Sequence, residues 1–211
     1  MTLKKRREME KLERHEEILD AAEQVFFHKS YEQSTMDDIA REARLSRALL
    51  YVYFKDKAAI MRGIMLRAGN ALQTRFEHAL RQSPTGLEQI EGIGHAYHAF
   101  SIEEPHYFDV LTSVTTFPGP ETDDGQIQAM EFCRERIKSL MVDALENGLR
   151  DGSISRSQVP DPLQAAFYLQ GALHGVIMQT RGPKSELSTY PDALKLIQYT
   201  IAMLTVSVKA R

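Results

Sequence analysis

The chain has 211 residues, of which 43% are hydrophobic and 26% charged, with a formal net charge of −3 and a pI near 6.2. That length allows one or two domains with a substantial core, and the composition excludes a disordered or fibrous chain. No apolar run approaches the ~20 residues of a membrane span, and the basic N-terminus is followed by acids instead of the apolar core of a signal peptide, so a soluble cytoplasmic protein is expected.

The single cysteine, Cys133, excludes an intrachain disulfide framework and reads as a small buried hydrophobe in a reducing compartment. The overall charge gives no sign of nucleic-acid binding, but its distribution does. Up to Arg62 there are thirteen Lys and Arg against twelve Asp and Glu. Within that part, Lys4, Lys5, Arg6 and Arg7 have no acid among them, and Arg41 to Arg62 carries six cations against Glu42 and Asp56. A phosphate surface responds to local patches of this kind.

Ile18, Ala22, Val25 and Phe26 recur at helical spacing, so residues 6–29 are predicted as the first helix. The KKRR ahead of it reads as a mobile arm, either touching DNA or simply solvated. Ser30-Tyr31 breaks the pattern. Thr35 then offers an N-cap, and Asp38 three residues on completes a capping box, with Asp in place of the usual Glu. Met36, Ile39, Ala40 and Ala43 line the inner face of a short helix that ends near Arg44. Ser46 caps the next one, and Leu45 can staple onto Leu50. Two short helices about three residues apart must cross, which is helix-turn-helix geometry. On the second, Leu50 and Phe54 face inward, while Arg47 and Tyr51 share another face beside Ala48 and Val52. Arginine can pair with guanine O6 and N7, alanine permits close approach, and tyrosine hydroxyls reach phosphate.

The stretch TMDDIAREARLSRALLYVYFKDKAAI resembles the DNA-binding signature of the tetracycline-repressor (TetR) family of bacterial transcription regulators. Thr-x-x-x-Ile-Ala-x-x-Ala-Gly-Val-Ser, followed by Leu-Tyr-x-x-Phe-x-x-Lys, aligns without a gap from Thr35 to Lys57. One position departs: Arg44 stands where the family usually has the turn glycine. A side chain in a left-handed turn costs on the order of 1 kcal/mol, so either the turn has relaxed or Arg44 offsets the strain by reaching DNA phosphate. The resemblance implies that Arg47, Ala48 and Leu49 face base edges, and that Thr35, Tyr51, Tyr53 and Lys57 hold the DNA backbone. It implies an all-α fold: a three-helix DNA-binding domain over residues 1–56 and a larger helical effector-binding and dimerisation domain over 57–211.

From Lys57 a long helix is predicted to about Gln82, where Ser83-Pro84 stops it. In the family that helix connects the ligand pocket to the DNA head. Weaker helices follow over 86–100 and from Pro105 through Leu111, then a Pro/Gly/acid loop to Gly125 and a long helix over 126–150. Asp161 and Pro162 open a helix that runs to about Arg181. Asp192 caps the last one, where Leu194, Ile197, Ile201, Leu204 and Val208 form a seam for packing against another helix. No strand or repeat is evident.

Gly171 and Gly175 lie four apart and let a second helix approach. With Ile197, Ile201 and Leu204 they suggest a symmetric four-helix dimer interface, the alternative being close packing inside one subunit. The resemblance favours the dimer. An apolar effector cavity is expected among the aromatics and methionines of the middle of the chain. Phe108, Phe117, Phe132 and Phe167 would supply its walls, and His98, Gln170 and His174 its polar anchors. The His95/His98 and His106/Asp109 pairs lack the accompanying motifs of a metal site, so no metal and no cofactor are expected. No catalytic fingerprint appears either, and the chain reads as a non-enzyme. The expected function is a ligand-responsive repressor that binds a pseudo-palindromic operator as a homodimer and is released by a small apolar or amphipathic effector. The alternative is an activator or architectural DNA-binding protein with no small-molecule ligand.

Overall fold

The computed structural model of the chain describes residues 2–113, 124–181 and 192–210. Among them are nine helices and no strand: α1 Leu3–Lys29, α2 Met36–Glu42, α3 Arg47–Tyr53, α4 Lys57–Gln82, α5 Gly86–Glu103, α6 Pro105–Thr112, α7 Asp124–Asp151, α8 Pro162–Arg181 and α9 Ala193–Val208. The all-α expectation therefore holds. None of the described helices is long and apolar enough to cross a membrane. The chain divides into two compact units, Met1–Ala68 with Asp109–Glu131, and Gly69–Phe108 with Phe132–Arg211.

In the first unit, α1 to α3 and the start of α4 close around Ile18, Ala22, Phe26, Ile39, Leu50, Phe54, Ile60 and Ile64, all nearly inaccessible to solvent. Every one of these except Ile60 and Ile64 comes from a stripe on α1, α2 or α3 that a helical period picks out. Two cations fasten the shell. Arg67 on α4 reaches three acids of α1: Asp20 at 2.7 Å, Glu23 at 3.0 Å, and Glu16. Desolvation opposes the charge of Arg67, but the hydrogen bonds to those carboxylates outweigh it and raise its pKa. Lys57 Nζ donates to the carbonyls of Tyr31 (2.6 Å) and Ser34 (2.8 Å) and sits 4.2 Å from the Tyr31 ring centroid. The loop between α1 and α2 is thereby pinned to the first turn of α4.

The KKRR segment, expected as a mobile arm, is part of α1, which starts at Leu3. Lys, Arg, Glu and Met are good helix formers, and Arg6 pairs with Glu10 one turn on at 2.9 Å.

In the second unit α5, α8 and α9 pack on one another. Glu103 and Glu104, adjacent in sequence, converge on Arg75 at 2.8 and 2.6 Å. Thr85 and Glu88 form a capping box at the start of α5, and Asp151 accepts a hydrogen bond from the Gly86 N–H at 2.7 Å. There a side chain is excluded: a Cβ on Gly86 would lie 1.9 Å from the backbone nitrogen of Gly148 on α7. The chain's last residues are tied to the α7–α8 loop by an isolated bridge between Ile154 and Lys209 and by the Ala210 N–H donating to Ser153 O.

The predicted α9 seam is largely covered within the chain. Ile197, Ile201 and Val208 are buried within this single chain, and Leu204 lines an internal cavity. Their helical spacing is real, but Ile197 and Ile201 are buried where α9 packs on α5 and α8 of the same subunit, while Leu204 is half-buried and Leu194 of the same seam is exposed. Periodicity shows that a face is buried and says nothing of what buries it.

Because the atoms facing Gly86 are backbone, α5 and α7 must separate to admit a methyl group. Gly86→Ala is expected to destabilise the chain by ~1–3 kcal/mol or more in a denaturant titration, where helix propensity alone would predict a gain.

Candidate functional site

The α2–α3 turn is built by a complete set of local bonds. Thr35 Oγ1 accepts from the Asp38 N–H at 3.1 Å, and the Thr35 N–H donates to Asp38 Oδ2 at 3.1 Å, closing the predicted capping box. Hydrogen bonds from Lys29 first, then from Thr35, hold the Asp38 carboxyl down at about 2. At the other end of α2, the Leu45 N–H reaches Ala40 O at 2.8 Å and the Arg44 N–H reaches Arg41 O at 3.1 Å. These are the two bonds of a Schellman cap, which requires a left-handed residue between them. Arg44 occupies that place with φ 56°. The turn has not relaxed to avoid the missing glycine.

Ser46 accepts from the Leu49 N–H at 3.2 Å and opens α3. Leu50 and Phe54 are buried, as their spacing predicts, while Arg47, Ala48, Leu49, Tyr51 and Val52 are exposed together and Tyr53 is half-buried. Arg47 Nη1 lies 3.2 Å from Asp37 Oδ2 and Nη2 lies 3.4 Å from the Tyr51 hydroxyl. The Tyr51 bond first, and then the Asp37 charge, raise the Arg47 pKa. Arg47 is thus held across the surface between α2 and α3 and must exchange Asp37 to meet a base. Asp37 gave no sign of this in the sequence, where it reads only as an acid suited to a helix N-terminus.

Of the residues expected to hold a DNA backbone, Thr35 and Tyr51 are exposed. Lys57 has a different setting: two of its three N–H groups are engaged by the Tyr31 and Ser34 carbonyls. It braces the head from behind, because the bend after Lys29 leaves carbonyls for a cation to satisfy.

The second unit holds an apolar cavity whose space open to the centre of a water-sized sphere is about 40 Å³. Its walls include Leu72, Phe76, Ile93, Met141, Leu173 and Leu204, with Gln170 and Thr205 as polar groups and no charged residue. Of the residues expected to hold an effector, Gln170 alone is in this lining. Phe108 is buried beside it in an aromatic cluster, 5.4 Å from the Tyr97 ring and 6.0 Å from His174. His174 Nδ1 lies 2.9 Å from the hydroxyl of Tyr97, itself a wall residue whose pKa burial pushes up to about 12. His98 is half-buried away from the lining, and burial first, then His95, lowers its pKa. Phe132 and Phe167 lie on the surface of the chain, because residue type does not reveal which face of a helix an aromatic occupies. Phe117 lies outside the described residues. The aliphatic walls from α4, α5 and α7 carried no mark distinguishing them from core. Among the described residues there is no cluster of three or more His, Cys, Asp or Glu able to hold a metal.

A family model described as bacterial regulatory proteins, tetR family, matches residues 18–64. The nucleoid occlusion factor SlmA of Vibrio campbellii is 31% identical over 144 residues, covering 67% of this chain and 72% of that protein. The chain belongs to the TetR family. The HTH-type transcriptional repressor BepR of Brucella suis is 42% identical over 64 residues, covering 30% of this chain and 31% of its own. This chain thus matches only about a third of the length of such curated relatives. Among solved structures, the transcriptional regulator FadR from Bacillus subtilis in complex with stearoyl-CoA has a TM-score of 0.67 at 18% identity, covering 91% of this chain and 98% of that one. At that identity the likeness is one of fold. The family model and the curated relatives are described as transcriptional regulators.

One surface of this TetR-type chain is left uncovered by the described residues. Gly171 and Gly175 on α8 have nothing within 4 Å of where a Cβ would be. Close packing inside the subunit, the alternative reading of these glycines, is therefore excluded among the described residues. Phe167 and Met178 share their side of α8, and Tyr199, Met203 and Val206 are exposed on the back of α9.

Replacing Arg44 by glycine removes the left-handed strain, partly offset by the greater freedom of glycine in the unfolded chain. Arg44→Gly is expected to raise stability by ~0.5–1 kcal/mol in thermal or denaturant unfolding; a loss of stability would show that the arginine side chain itself holds the turn.

Proposed function

We propose that the chain is a ligand-responsive transcriptional repressor that binds a pseudo-palindromic operator as a homodimer. The observation that carries this is the reading head: a Schellman-capped turn with Arg44 at φ 56°, followed by α3 with an exposed Arg47–Tyr51 face. Arg47, Ala48 and Leu49 would meet base edges, and Thr35, Arg44, Tyr51 and Tyr53 the phosphates. Two heads would enter successive major grooves about 34–36 Å apart. We assign DNA recognition to residues 1–56 and effector binding with dimerisation to 57–211. Lys57, with two of its N–H groups occupied internally, is assigned to bracing instead of phosphate contact.

The dimer in this proposal uses the exposed face of α8 and α9: Phe167, Gly171, Gly175 and Met178 with Tyr199, Met203 and Val206. It does not use the buried Ile197 and Ile201. The effector would enter the apolar cavity of the second unit, with Gln170 as its polar anchor. Space of about 40 Å³ holds no more than a few waters, so the helices must part to admit anything larger. That requirement gives a route to release, because a ligand favours the shape it binds better and shifts the population by its differential affinity. The stearoyl-CoA complex of FadR supports an acyl chain as the type of apolar group to test. A second reading has its own support: the relative with 72% of its length covered is named a nucleoid occlusion factor. The second reading is a DNA-binding protein without a small-molecule ligand. Titrating the protein–DNA complex with acyl-CoA esters and other apolar compounds separates the two readings; release supports the repressor.

On its best duplex, Arg47→Ala is expected to cost ~1–3 kcal/mol and to relax preference at one base pair, measured by fluorescence anisotropy over single-base variants; an equal loss on every variant would remove Arg47 from base recognition. Gly175→Arg is expected to leave a folded chain that sediments at 24.0 kDa instead of twice that mass; an undiminished dimer would move the interface elsewhere.

A further inference from the structure

We infer that the N-terminal half of α1 is a second DNA-contacting surface, a rigid basic stripe that follows the phosphates flanking the site read by α3. The inference rests on the DNA-binding reading proposed above.

Every residue from Thr2 to Arg14 is exposed, yet all from Leu3 onward are helical. More than three turns of α1 therefore project beyond the core of the head with no packing to stabilise them. A solvated helix of that length is marginal in water and is held here as the continuation of a packed one. Along it, Lys4, Arg7, Lys11 and Arg14 recur at steps of three, four and three, which places them on one face. That face continues along the helix into Ile18, Ala22 and Val25, the side that packs into the head. Glu13 and Glu16 fall on the opposite side, with Lys5 and Arg6, and Glu8 and Glu10 lie at the two borders. Arg14 pairs with Glu17 at 2.6 Å, whereas Lys4, Arg7 and Lys11 enter no ion pair among the described residues. Ordinary solvated helix faces mix both signs; this one carries only one.

The stripe's position relative to the reading helix is fixed by His15, whose ring stacks on Phe54 with centroids 4.5 Å apart and 29° between planes. Phe54 is the residue that closes α3. Arg14 thus lies one residue before a contact with the end of the recognition helix, and the other three cations extend from that point. At 1.5 Å per residue, Lys4 to Arg14 spans about 15 Å, which corresponds to roughly 4–5 base pairs of duplex. An anionic membrane is a poorer match, because an interfacial helix needs a broad apolar face opposite its cations, and here the opposite side has only Met9 and Leu12 among Lys5, Arg6, Glu13 and Glu16.

The test compares the full chain with the triple variant Lys4→Gln, Arg7→Gln, Lys11→Gln on the duplex it prefers from a random pool, with and without ten extra base pairs on each side. The replaced residues are exposed, so an unchanged melting temperature is expected and serves as the folding control. The slope of log affinity against log salt should become shallower by ~0.9 for each phosphate no longer neutralised, about 2–3 per bound subunit. Between 50 and 200 mM salt the wild-type advantage should accordingly shrink by about 40-fold per subunit. The wild type should also prefer the extended duplex, and the variant should not. If the wild type binds DNA but the variant keeps its slope and its preference for the extended duplex, the stripe is only a solvated face and the inference fails while the reading of α3 stands. Failure of the wild type to bind any duplex would remove the DNA-binding reading itself, and the inference with it. Loss of co-sedimentation with phosphatidylglycerol vesicles, with the DNA slope unchanged, would assign the stripe to membranes and overturn the inference.

Discussion

The angle between α2 and α3 depends on one residue held against its own backbone preference. Arg44 at φ 56° lets the Leu45 N–H return to Ala40 O and the Arg44 N–H to Arg41 O, which stops α2 after barely two turns. Without that stop α2 would run on. Ser46 would then not be placed to cap α3, and Leu50 and Phe54 would not reach the core they share with Ile18 and Ile39. A glycine would make the turn at less cost. An arginine there retains the geometry and adds an exposed cation beside the Arg47–Tyr51 face, so local strain and an added phosphate-seeking charge occur at the same residue.

The supports around that turn are electrostatic as well as apolar, and each acts at a place where the backbone is short of partners. Lys57 satisfies loop carbonyls between α1 and α2, and Arg67 gathers three acids of α1 onto α4. The head is held by bonds to residues far away in sequence, which is why a short pair of helices can have one geometry. The second unit contrasts with it. Its cavity is apolar and small, and its uncovered surface on α8 and α9 is apolar as well. A helix such as α9, hydrophobic on both sides, is normally buried on both, which fits the proposed dimer.

What could be read from the sequence follows the range of each interaction. Caps, boxes and turns are local, so Thr35, Asp38, Ser46, Asp161 and Asp192 were legible, and so was the left-handed demand at position 44. Helical stripes are also local, and Lys57 to Gln82 was legible to the residue. Partners across space were not. The Lys57 ammonium looked like a phosphate contact because its carbonyl partners lie 23 and 26 residues away. Ile197 and Ile201 looked like a dimer seam because periodicity cannot distinguish a neighbouring helix from a neighbouring subunit. Phe132 and Phe167 looked like pocket walls because the same side chain serves inside and outside, whereas the lining of the cavity is mostly aliphatic side chains indistinguishable from core, with Phe76 and Tyr97 among them. His15 was passed over because its only distinguishing feature, the ring of Phe54, is 39 positions further along the chain.

The central claim is that this head reads a duplex as one half of a two-fold pair. Repeated selection of bound duplexes from a random pool by the full-length chain addresses it most directly. The account predicts enrichment of a two-fold symmetric sequence whose half-sites are about one helical turn apart, roughly 10–10.5 base pairs, or a multiple of it. A pool that shows no enrichment, or that converges on a single unpaired site, would contradict it.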